Sequence, residues 1–522
     1  MTGRKLIGRA VRGVVRTCVG LAATGVVAGV LLSASPAEAA PRINGGPKAG
    51  WLGAWGPVID WPLVAIHSAV LPNGKVLTYG TDGRGAQGAV IYDLWDPSKG
   101  VGPRSHETLR NRTTTDIFCS AQLVLPRGND VLIAGGDVTI DGERNYPSND
   151  FNVLNWRRGT LSKRSYKFRQ GRWYPTMTAL PNGEVLLHGG RARRYDPTRP
   201  GNTLPEIYNR NTGWRTLPGA ESDAAYAKNW YYPWSFVTPR GTVLFTKADR
   251  RLWELDWRGR GAIGQVGRMG GPWRAAGSAA LINSGRKVLV SGGHDRGAAT
   301  ASTRLIDLDD PTYPVTDGPD MNLPRTDHDS TVLPGGRVLI TGGSARWNKL
   351  EGTARLAEAY EPWNDRFVRY ARAKTPRLYH STAVLLPDAT VLTAGGGSPG
   401  PLTNLNAEIF YPPYLFKKDG SGEMARRPVI RGLTRPRYNR TFTIDLDIAA
   451  SRVKGVTMVS LGSSTHAFDM GQRRVWMGIA GRSGKRLTVN GPWSRNVAPP
   501  GYYMVFVFDE NWVPSVSKII SL

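Results

Sequence analysis

The sequence is poor in cysteine and in charge, and it lacks any long apolar run apart from one near its N-terminus. Only 2 of its 522 residues are cysteine, and 21% are charged. Glycine (63) and proline (37) are frequent but follow no triplet period, which excludes a collagen-like chain. With 17 tryptophans the chain is too aromatic to be disordered. At this length it can bury a large core and form more than one domain.

Residues 1–39 have the pattern of a secretory signal peptide. Basic residues precede an apolar run from Cys18 to Leu32, and the small-x-small sequence Ala37-Glu38-Ala39 follows. No two arginines are adjacent there, which favours Sec over twin-arginine export. Retention as a signal anchor is the alternative, although the run is short for a membrane span. Cleavage predicts a secreted or envelope-associated protein without stable membrane insertion, with Cys119 as its sole cysteine.

Basic residues outnumber acidic ones, with 68 Lys and Arg against 41 Asp and Glu, for a net charge of +27. A basic secreted protein attracts polyanions, so an anionic cell-wall polymer is a possible partner. The alternative is that the charge only keeps the protein soluble. Because the basic residues are scattered rather than clustered, nucleic acid is not an expected partner. We expect a monomer.

One strand motif recurs seven times along the chain. Each copy is a short apolar strand, a turn, a second strand rich in Val and Leu, and often a Gly-Gly pair. The turns lie at Pro72, Pro126, Pro181, Pro239, Asn283, Pro334 and Pro387. A period of about 50 residues with these hairpin signals is typical of kelch repeats. We predict an all-β fold in which a seven-bladed kelch-type β-propeller spans 61–423 after an N-terminal segment, 40–60, because a closed ring protects strand edges.

The repeat ends near Pro413, and a basic, glycine-containing linker follows. Alternating apolar segments then occur at 441–446, 453–460, 486–489 and 502–509. This pattern predicts a C-terminal immunoglobulin-like β-sandwich over residues 424–522.

Residues that can carry chemistry stand before three of the inner strands. Cys119 precedes the second copy of the motif, Tyr174 the third, and Tyr379 and His380 the seventh. His466 lies in a loop of the predicted sandwich, from which it can reach the propeller channel. Two imidazoles and two phenols form a set of N and O ligands that suits Cu(II). The alternative is that the tyrosines pack and the histidines only donate hydrogen bonds.

These motifs together resemble those of the copper radical oxidases, which include galactose oxidase and glyoxal oxidase. The resemblance covers nearly all of the chain after the signal peptide, with the motifs in the family's order. The matching segments are Phe-Cys at 118–119, Arg-Trp-Tyr-Pro-Thr at 172–176, Arg-Leu-Tyr-His-Ser at 377–381, Thr-His at 465–466, Gln-Arg-Arg at 472–474 and Pro-Pro-Gly-Tyr-Tyr at 499–503.

The resemblance implies a thioether cross-link between Cys119 and Tyr174 that stabilises a tyrosyl radical. It also implies one copper ion, held by Tyr174, His380 and His466 with Tyr379 as the axial ligand and the base. Cys119, Tyr174 and Tyr379 would then be the catalytic residues. Tyr174 would take a hydrogen atom from the substrate, and dioxygen would leave as hydrogen peroxide.

A tryptophan shields the cross-link in this family, and its position in the chain varies. Trp173 adjoins Tyr174, but neighbours on a strand point to opposite faces. Trp230 and Trp234, before the fourth inner strand, are the other candidates, and we rank them slightly ahead of Trp173.

His328 aligns with His380 by its position in the blade. This alignment predicts a residue that faces the substrate or supports a metal ligand, with a structural role as the alternative. His67 is a weaker case of the same kind.

The predicted function is a secreted copper-dependent oxidase of small aldehydes, as their hydrates, or of primary alcohols. Galactose oxidase carries a further sandwich before its propeller, whereas only residues 40–60 lie there in this sequence, which favours the glyoxal-oxidase-like branch. Three alternatives remain: an oxidase of sugar or glycan primary alcohols, a non-catalytic propeller that binds envelope polysaccharide, and a copper-binding protein without turnover.

Overall fold

The computed structural model describes residues 43–84, 87–192 and 201–522. The predicted signal peptide lies outside the described residues. Within this part of the chain, no helix is long and apolar enough to cross a membrane.

Antiparallel sheets follow one another along the chain, and each forms a propeller blade. Blade 1 contains Val64–Val70, Val76–Thr81, Ile91–Trp95 and Thr108–Arg110. Blade 2 contains Ala121–Val124, Asp130–Ala134, Phe151–Asn155 and Thr160–Lys163. Blade 3 contains Trp173–Ala179, Val185–Arg191, Glu206–Asn209 and Gly213–Thr216. Blade 4 contains Trp234–Val237, Val243–Thr246, Arg251–Asp256 and Ala262–Arg268.

Three further sheets complete the set of seven blades among the described residues. Blade 5 contains Ser278–Ile282, Lys287–Ser291, Thr303–Asp307 and Val315–Gly318. Blade 6 contains Thr326–Val332, Val338–Ser344, Leu356–Glu361 and Arg366–Arg372. Blade 7 contains Ser381–Leu385, Val391–Gly395 and Asn406–Tyr411. The short strands Ala54–Trp55 and Ile59–Asp60 pair with Asn406–Tyr411, so the start of the described chain adds the outer edge of the last blade.

The glycine pair near the end of the second strand of several blades allows neighbouring blades to approach closely. Gly190 and Gly343 both have positive φ, at 84° and 85°. Gly343 N–H donates to the carbonyl of Arg377 at the start of the next blade (2.7 Å), and Gly190 N–H donates likewise to Trp230 (2.7 Å). A side chain at Gly343 would lie 2.7 Å from the Thr326 carbonyl, so glycine is needed there.

The repeated arginine before an inner strand pairs with a glutamate on the third strand of the same blade. Arg172 contacts Glu206 at 3.1 Å in blade 3, and Arg325 contacts Glu358 at 2.8 Å in blade 6. The side chains of both pairs are buried. A buried guanidinium needs such a partner, which explains why both residue types recur in the sequence.

Two four-stranded sheets enclose a separate apolar core at the C-terminal end. One sheet contains Ile430–Leu433, Thr441–Leu446, Arg486–Asn490 and Ile479–Ser483. The other contains Arg474–Met477, Val453–Ser460, Tyr502–Asp509 and Lys518–Ser521. The predicted all-β fold, a seven-bladed propeller followed by a sandwich, is confirmed. The exact limits of the domains stay predictions.

A hairpin from the C-terminal part of the chain enters the propeller. Its strands are Ser463–Thr465 and Phe468–Asp469, and the first of them pairs with the inner strand of blade 1, with Thr465 opposite His67. Ser463 Oγ also donates to the carbonyl of Gln122 in blade 2 (2.7 Å). The tip of this hairpin, at His466, is thereby fixed against two blades.

The remaining elements are short. The α-helices are Ala49–Leu52 and Asp223–Tyr226. The 3₁₀ turns are Pro97–Lys99, Pro103–Ser105, Pro218–Ala220, Asn283–Gly285, Pro413–Leu415 and Ala450–Arg452. Two ribbons pair Asp137–Ile140 with Glu143–Pro147 and His294–Asp295 with Ala298–Ala299.

Candidate active site

The predicted site residues occupy equivalent positions at the start of neighbouring blades. In blades 3, 6 and 7 the inner hairpin pairs Pro175 with Gly189, His328 with Gly342 and Ser381 with Gly395. The residues just before these are Tyr174, Asp327 and His380. Backbone hydrogen bonds join the ring across blades, since Tyr174 N–H donates to the Cys119 carbonyl (3.0 Å) and Tyr232 N–H to the Tyr174 carbonyl (2.9 Å).

A left-handed backbone conformation is shared by the residues of this ring. The φ angles are 57° at Cys119, 68° at Tyr174, 58° at Asp327 and 70° at His380, and His466 on the hairpin has 49°. Non-glycine residues adopt this region at a cost, and such strained residues cluster at functional sites. In a regular strand successive side chains point to opposite faces, and a residue with positive φ interrupts this alternation. Consecutive side chains can therefore lie on the same side of the strand.

Tyrosine, histidine and cysteine side chains converge at this end of the channel. The hydroxyls of Tyr174 and Tyr379 lie 3.2 Å apart. Cys119 Sγ lies 3.8 Å from Nε2 of His466. Ligand atoms of Cys119, His380 and His466 all lie within 4.8 Å of one another, a spacing that can hold a metal ion. The structure therefore brings together all five residues that the sequence motifs singled out.

In both His380 and His466, a hydrogen bond at Nδ1 sets the protonation of the ring and leaves Nε2 for a ligand. Nδ1 of His380 lies 2.8 Å from the Gly397 carbonyl, so Nδ1 must carry the proton, and the buried Nε2 has no hydrogen-bond partner within the described protein. Nδ1 of His466 lies 2.6 Å from Thr465 Oγ1, whose own proton goes to the carbonyl of Ile66 (2.8 Å). Both Nε2 atoms can therefore present a lone pair to a metal.

Burial keeps these groups neutral. Desolvation lowers the pKa of His380 to about 4 and that of His466 well below its usual value. It raises the pKa of Cys119, Tyr174 and Tyr379 well above their usual ranges, and repulsion between the ionised forms of Cys119 and each tyrosine raises the pKa of both tyrosines further. Neutral imidazoles are ready to bind a cation, and a bound cation would favour loss of the phenolic protons.

Of the three predicted tryptophans, Trp173 lies against Tyr174. The two ring centroids are 4.1 Å apart, whereas the Trp230 ring lies 6.1 Å from Tyr174 and beneath the Arg191 guanidinium (4.4 Å). The Trp234 ring faces the Lys247 ammonium at 4.2 Å. Trp173 can reach the face of its neighbour because Tyr174 has positive φ.

His328 and His67 lie outside the cluster of ligand atoms. Nε2 of His328 lies 2.9 Å from Ser291 Oγ, between blades 5 and 6. Asp327, rather than His328, holds the position in blade 6 that corresponds to His380. The His67 ring stacks on Tyr79 at 4.2 Å.

Two tyrosines of the site were missed by sequence reasoning. Tyr231 lies 4.8 Å from the Tyr174 ring and its hydroxyl interacts with Tyr379, and Tyr232 stacks on His466 at 4.6 Å. The Tyr232 hydroxyl donates to the Ser120 carbonyl (2.9 Å). The signal that could have found them is their place before the fourth inner strand, because Cys119, Tyr174 and His380 stand at the same place in blades 2, 3 and 7.

Comparison with known families agrees with this arrangement. Residues 103–414, more than half of the chain, match the family model described as glyoxal oxidase N-terminus. The chain belongs to the glyoxal oxidase family. Residues 427–522 match the galactose oxidase-like early set domain, which coincides with the C-terminal sandwich.

Three oxidases are similar to this chain over most of its length. A galactose oxidase of Gibberella zeae is 29% identical, covering 90% of this chain and 70% of its own. The aldehyde oxidase GLOX of Vitis pseudoreticulata is 27% identical, covering 90% of this chain and 97% of its own. A solved structure of a fungal alcohol oxidase in complex with copper has the same fold, with a TM-score of 0.79 at 23% identity over 90% of this chain and 99% of that chain.

Proposed function

We propose that the chain is a secreted copper radical oxidase that oxidises small aldehydes, as their hydrates, or primary alcohols. The observation that carries the proposal is the convergence of Cys119, Tyr174, Tyr379, His380 and His466 at one end of the channel, in a chain of the glyoxal oxidase family. The overall reaction converts an alcohol and dioxygen into an aldehyde and hydrogen peroxide, or an aldehyde hydrate into a carboxylic acid with the same reduction.

The residues fit a copper ion. Tyr174, Tyr379, His380 and His466 would hold it through two phenolic oxygens and two Nε2 atoms, a set of ligands that copper prefers. The unpartnered, buried Nε2 of His380 is the clearest sign, because a polar atom so placed needs a partner. Bound copper would polarise the substrate oxygen and accept one electron.

The proton and the hydrogen atom leave the substrate to different tyrosines. Tyr379 is half-buried, so its hydroxyl can meet the substrate, and as a phenolate it takes the proton of the reacting hydroxyl. Tyr174 is almost wholly buried and takes the hydrogen atom from the adjacent carbon. The separation of 3.2 Å between their hydroxyls allows one small substrate to reach both.

The cross-link would form between Cys119 Sγ and the Tyr174 ring. The C–S bond forms with loss of one hydrogen from the thiol and one from the ring, and dioxygen accepts both as hydrogen peroxide. The sulfur would spread the unpaired electron of Tyr174. Trp173, whose ring centroid lies 4.1 Å from that of Tyr174, would keep water and reductants from that ring.

Secretion rests on the signal-peptide pattern of residues 1–39. The monomeric state and binding to an anionic wall polymer stay predictions.

The proposal is tested by loading the protein with copper in air, digesting it, and weighing the peptides that hold Cys119 and Tyr174. We expect one species, two hydrogens lighter than the sum of the two peptides, together with peroxide formation from glyoxal or a primary alcohol. The variant Cys119→Ser is the control and should give two separate peptides. If the unaltered protein also gives two peptides and Cys119 alkylates as a free thiol, the radical mechanism is wrong.

A further inference from the structure

Exposed tryptophans are concentrated in one groove of the described protein. Six tryptophans of this part of the chain are substantially exposed, with exposed fractions from 37% to 56%. Five of them line two adjoining cavities, and Trp347 lies outside these cavities. Large apolar rings are seldom left in water together, and a surface of this kind marks a binding site. The five rings of this tryptophan groove belong to Trp51, Trp363, Trp476, Trp493 and Trp512.

The groove lies between the outer strand of blade 6, Arg366–Arg372, and the C-terminal sandwich. Its central cavity has a volume of about 830 Å³ and is lined by four of the five rings. At Trp476 it continues into a cavity of about 440 Å³ that reaches Trp493. At Lys418 and Asn511 it continues into another cavity, of about 450 Å³. A groove extended in this way fits a polymer better than a single small molecule.

The backbone is shaped around two of these rings. Trp512 has a φ of 61°, in the left-handed region that a bulky residue rarely adopts. The Asp509 carboxylate fixes this turn by accepting from the backbone N–H groups of the residues on either side of Trp512 (2.9 Å each). A side chain at Gly455 would lie 2.1 Å from the Trp476 ring, so glycine leaves room for that ring. Strained residues cluster at binding and catalytic sites, and here the strain serves to present an exposed ring.

Basic side chains predominate in the central cavity. Arg337, Arg366 and Lys418 line it together with one carboxylate, that of Glu361. Glu361 accepts from Nε of Arg337 (2.8 Å) and from Nε of Arg366 (2.9 Å), so one negative charge is shared by two positive ones. Among the ion pairs of the described residues none involves Lys418, whose Nζ donates to the carbonyl of Pro413 (2.8 Å). The surplus positive charge is complementary to an acidic partner.

Guanidinium groups lie against the rings of the groove. The Arg337 guanidinium is 5.0 Å from the centre of the Trp363 ring. The Arg474 guanidinium is 5.1 Å from the centre of the Trp476 ring. Each pair offers an apolar ring beside donors that can bind a carboxylate. A pyranose sugar has the matching shape, with an apolar C–H face and hydroxyls around its rim. A single-stranded nucleic acid would bring a phosphate at every unit towards Glu361, whereas sugar hydroxyls can donate to that carboxylate.

The groove lies at the opposite end of blade 6 from the candidate active site. The inner strand Thr326–Val332 begins beside the site, at Asp327, and the turn that follows the strand brings Gly335 and Arg337 to the groove. A strand of seven residues spans about 20 Å. A polymer in the groove therefore leaves the active site accessible.

We propose that the tryptophan groove binds an acidic polysaccharide built of pyranose units that carry carboxylates. The rings of Trp363, Trp476 and Trp512 stack on the sugar faces, and the guanidinium groups beside them bind the carboxylates. Such binding anchors the protein on the polymer through a surface that is separate from the active site. The inference does not depend on the oxidase function.

Isothermal titration calorimetry of the native protein with hexagalacturonate tests the proposal. The comparison ligands have the same number of units: maltohexaose lacks charge, hexaglutamate lacks sugar rings, and hexathymidylate is a nucleic acid. We expect hexagalacturonate to bind at least about tenfold more tightly than each of them, because only hexagalacturonate combines pyranose faces with carboxylates. Equal binding of any of the three would overturn the proposal, since charge, stacking or a nucleic acid would then account for it.

Variants locate the binding surface. Trp476→Ala and Trp512→Ala should each weaken hexagalacturonate binding at least about threefold, because each removes a stacking surface. The matched control is Trp347→Ala, at the exposed tryptophan outside the groove, which should bind as the native protein does. Arg366→Gln should weaken the binding of hexagalacturonate but not of maltohexaose, whereas Arg372→Gln, exposed on the same strand, should change neither. Thermal unfolding checks that each variant is folded. Native affinity in the groove variants would show that the polymer binds elsewhere, and the proposal would be wrong.

Sedimentation velocity tests the other occupant of the groove, a second copy of this chain. We expect the native protein to sediment as a monomer, with the groove open to the polymer. A dimer that Trp512→Ala converts into monomers would show that the groove is an interface between copies, and would overturn the assignment to a polysaccharide.

Discussion

The hydroxyl of Thr465 lies 2.6 Å from Nδ1 of His466, and the same hydroxyl donates its proton to the carbonyl of Ile66. Thr465 therefore accepts the Nδ1 proton and fixes the tautomer of His466, leaving Nε2 free to face Cys119. Because Ile66 belongs to blade 1, the propeller sets the protonation of His466, the proposed copper ligand on the C-terminal hairpin. Such outer partners commonly tune metal affinity by 10- to 100-fold.

Replacement of this hydroxyl should weaken copper binding. In Thr465→Val the His466 ring loses its Nδ1 acceptor and can adopt the other tautomer, so we expect copper affinity to fall about tenfold. Competition with a chromophoric chelator measures it. Thr441→Val, at an exposed strand position, is the control and should bind copper as the native protein does. Unchanged affinity in Thr465→Val would show that the hairpin backbone alone orients the ring.

Trp173 and Trp230 offer a direct test of which ring protects Tyr174. Trp173→Phe removes the ring at 4.1 Å and should shorten the lifetime of the oxidised tyrosine several-fold, measured by decay of its visible absorption after one-electron oxidation. Trp230→Phe changes a ring at 6.1 Å and should have a smaller effect. A larger effect from Trp230→Phe would instead support the ranking that the sequence favoured.

The repeats made the fold predictable from the sequence, because each hairpin is a local pattern of turn and apolar residues that recurs about every 50 residues. Cys119, Tyr174, Tyr379 and His380 were readable because their motifs stand at one place in three of the repeats, and His466 because its motif lies in a loop of the predicted sandwich. The contact between Trp173 and Tyr174 was not, since it depends on a positive φ that a regular strand does not have.

The buried ion pairs within blades should govern stability. Glu206→Ala leaves the Arg172 guanidinium buried without its carboxylate, which typically costs about 3–5 kcal/mol. We expect a clearly lower Tm in the metal-free variant by calorimetry. Asp256→Ala removes the partner of Arg258 in an exposed pair, worth less than about 1 kcal/mol, and should change Tm little. Equal shifts in the two variants would mean that Arg172 finds water or another acceptor.

Asp329 should make the stability of the protein fall as pH rises. Its side chain is buried and accepts a hydrogen bond from Ser381 Oγ (3.0 Å), and desolvation raises its pKa to about 8. An unfolded aspartate has a pKa of about 3.9. Between these values the unfolded chain has released the proton while the folded protein keeps it, so the free energy of unfolding decreases with pH.

The variant Asp329→Asn isolates this contribution, because asparagine keeps an acceptor for Ser381 and does not titrate. We would measure the free energy of unfolding by denaturant at pH 5, 6 and 7.5. The difference between Asp329→Asn and the native protein should shift in favour of the variant at each step, because only the native fold keeps a carboxyl proton that the unfolded chain has lost. Asp320→Asn, at an exposed position, should track the native protein at every pH. A constant difference between Asp329→Asn and the native protein would mean that Asp329 is already ionised in the fold, and that Ser381 and its surroundings solvate the charge.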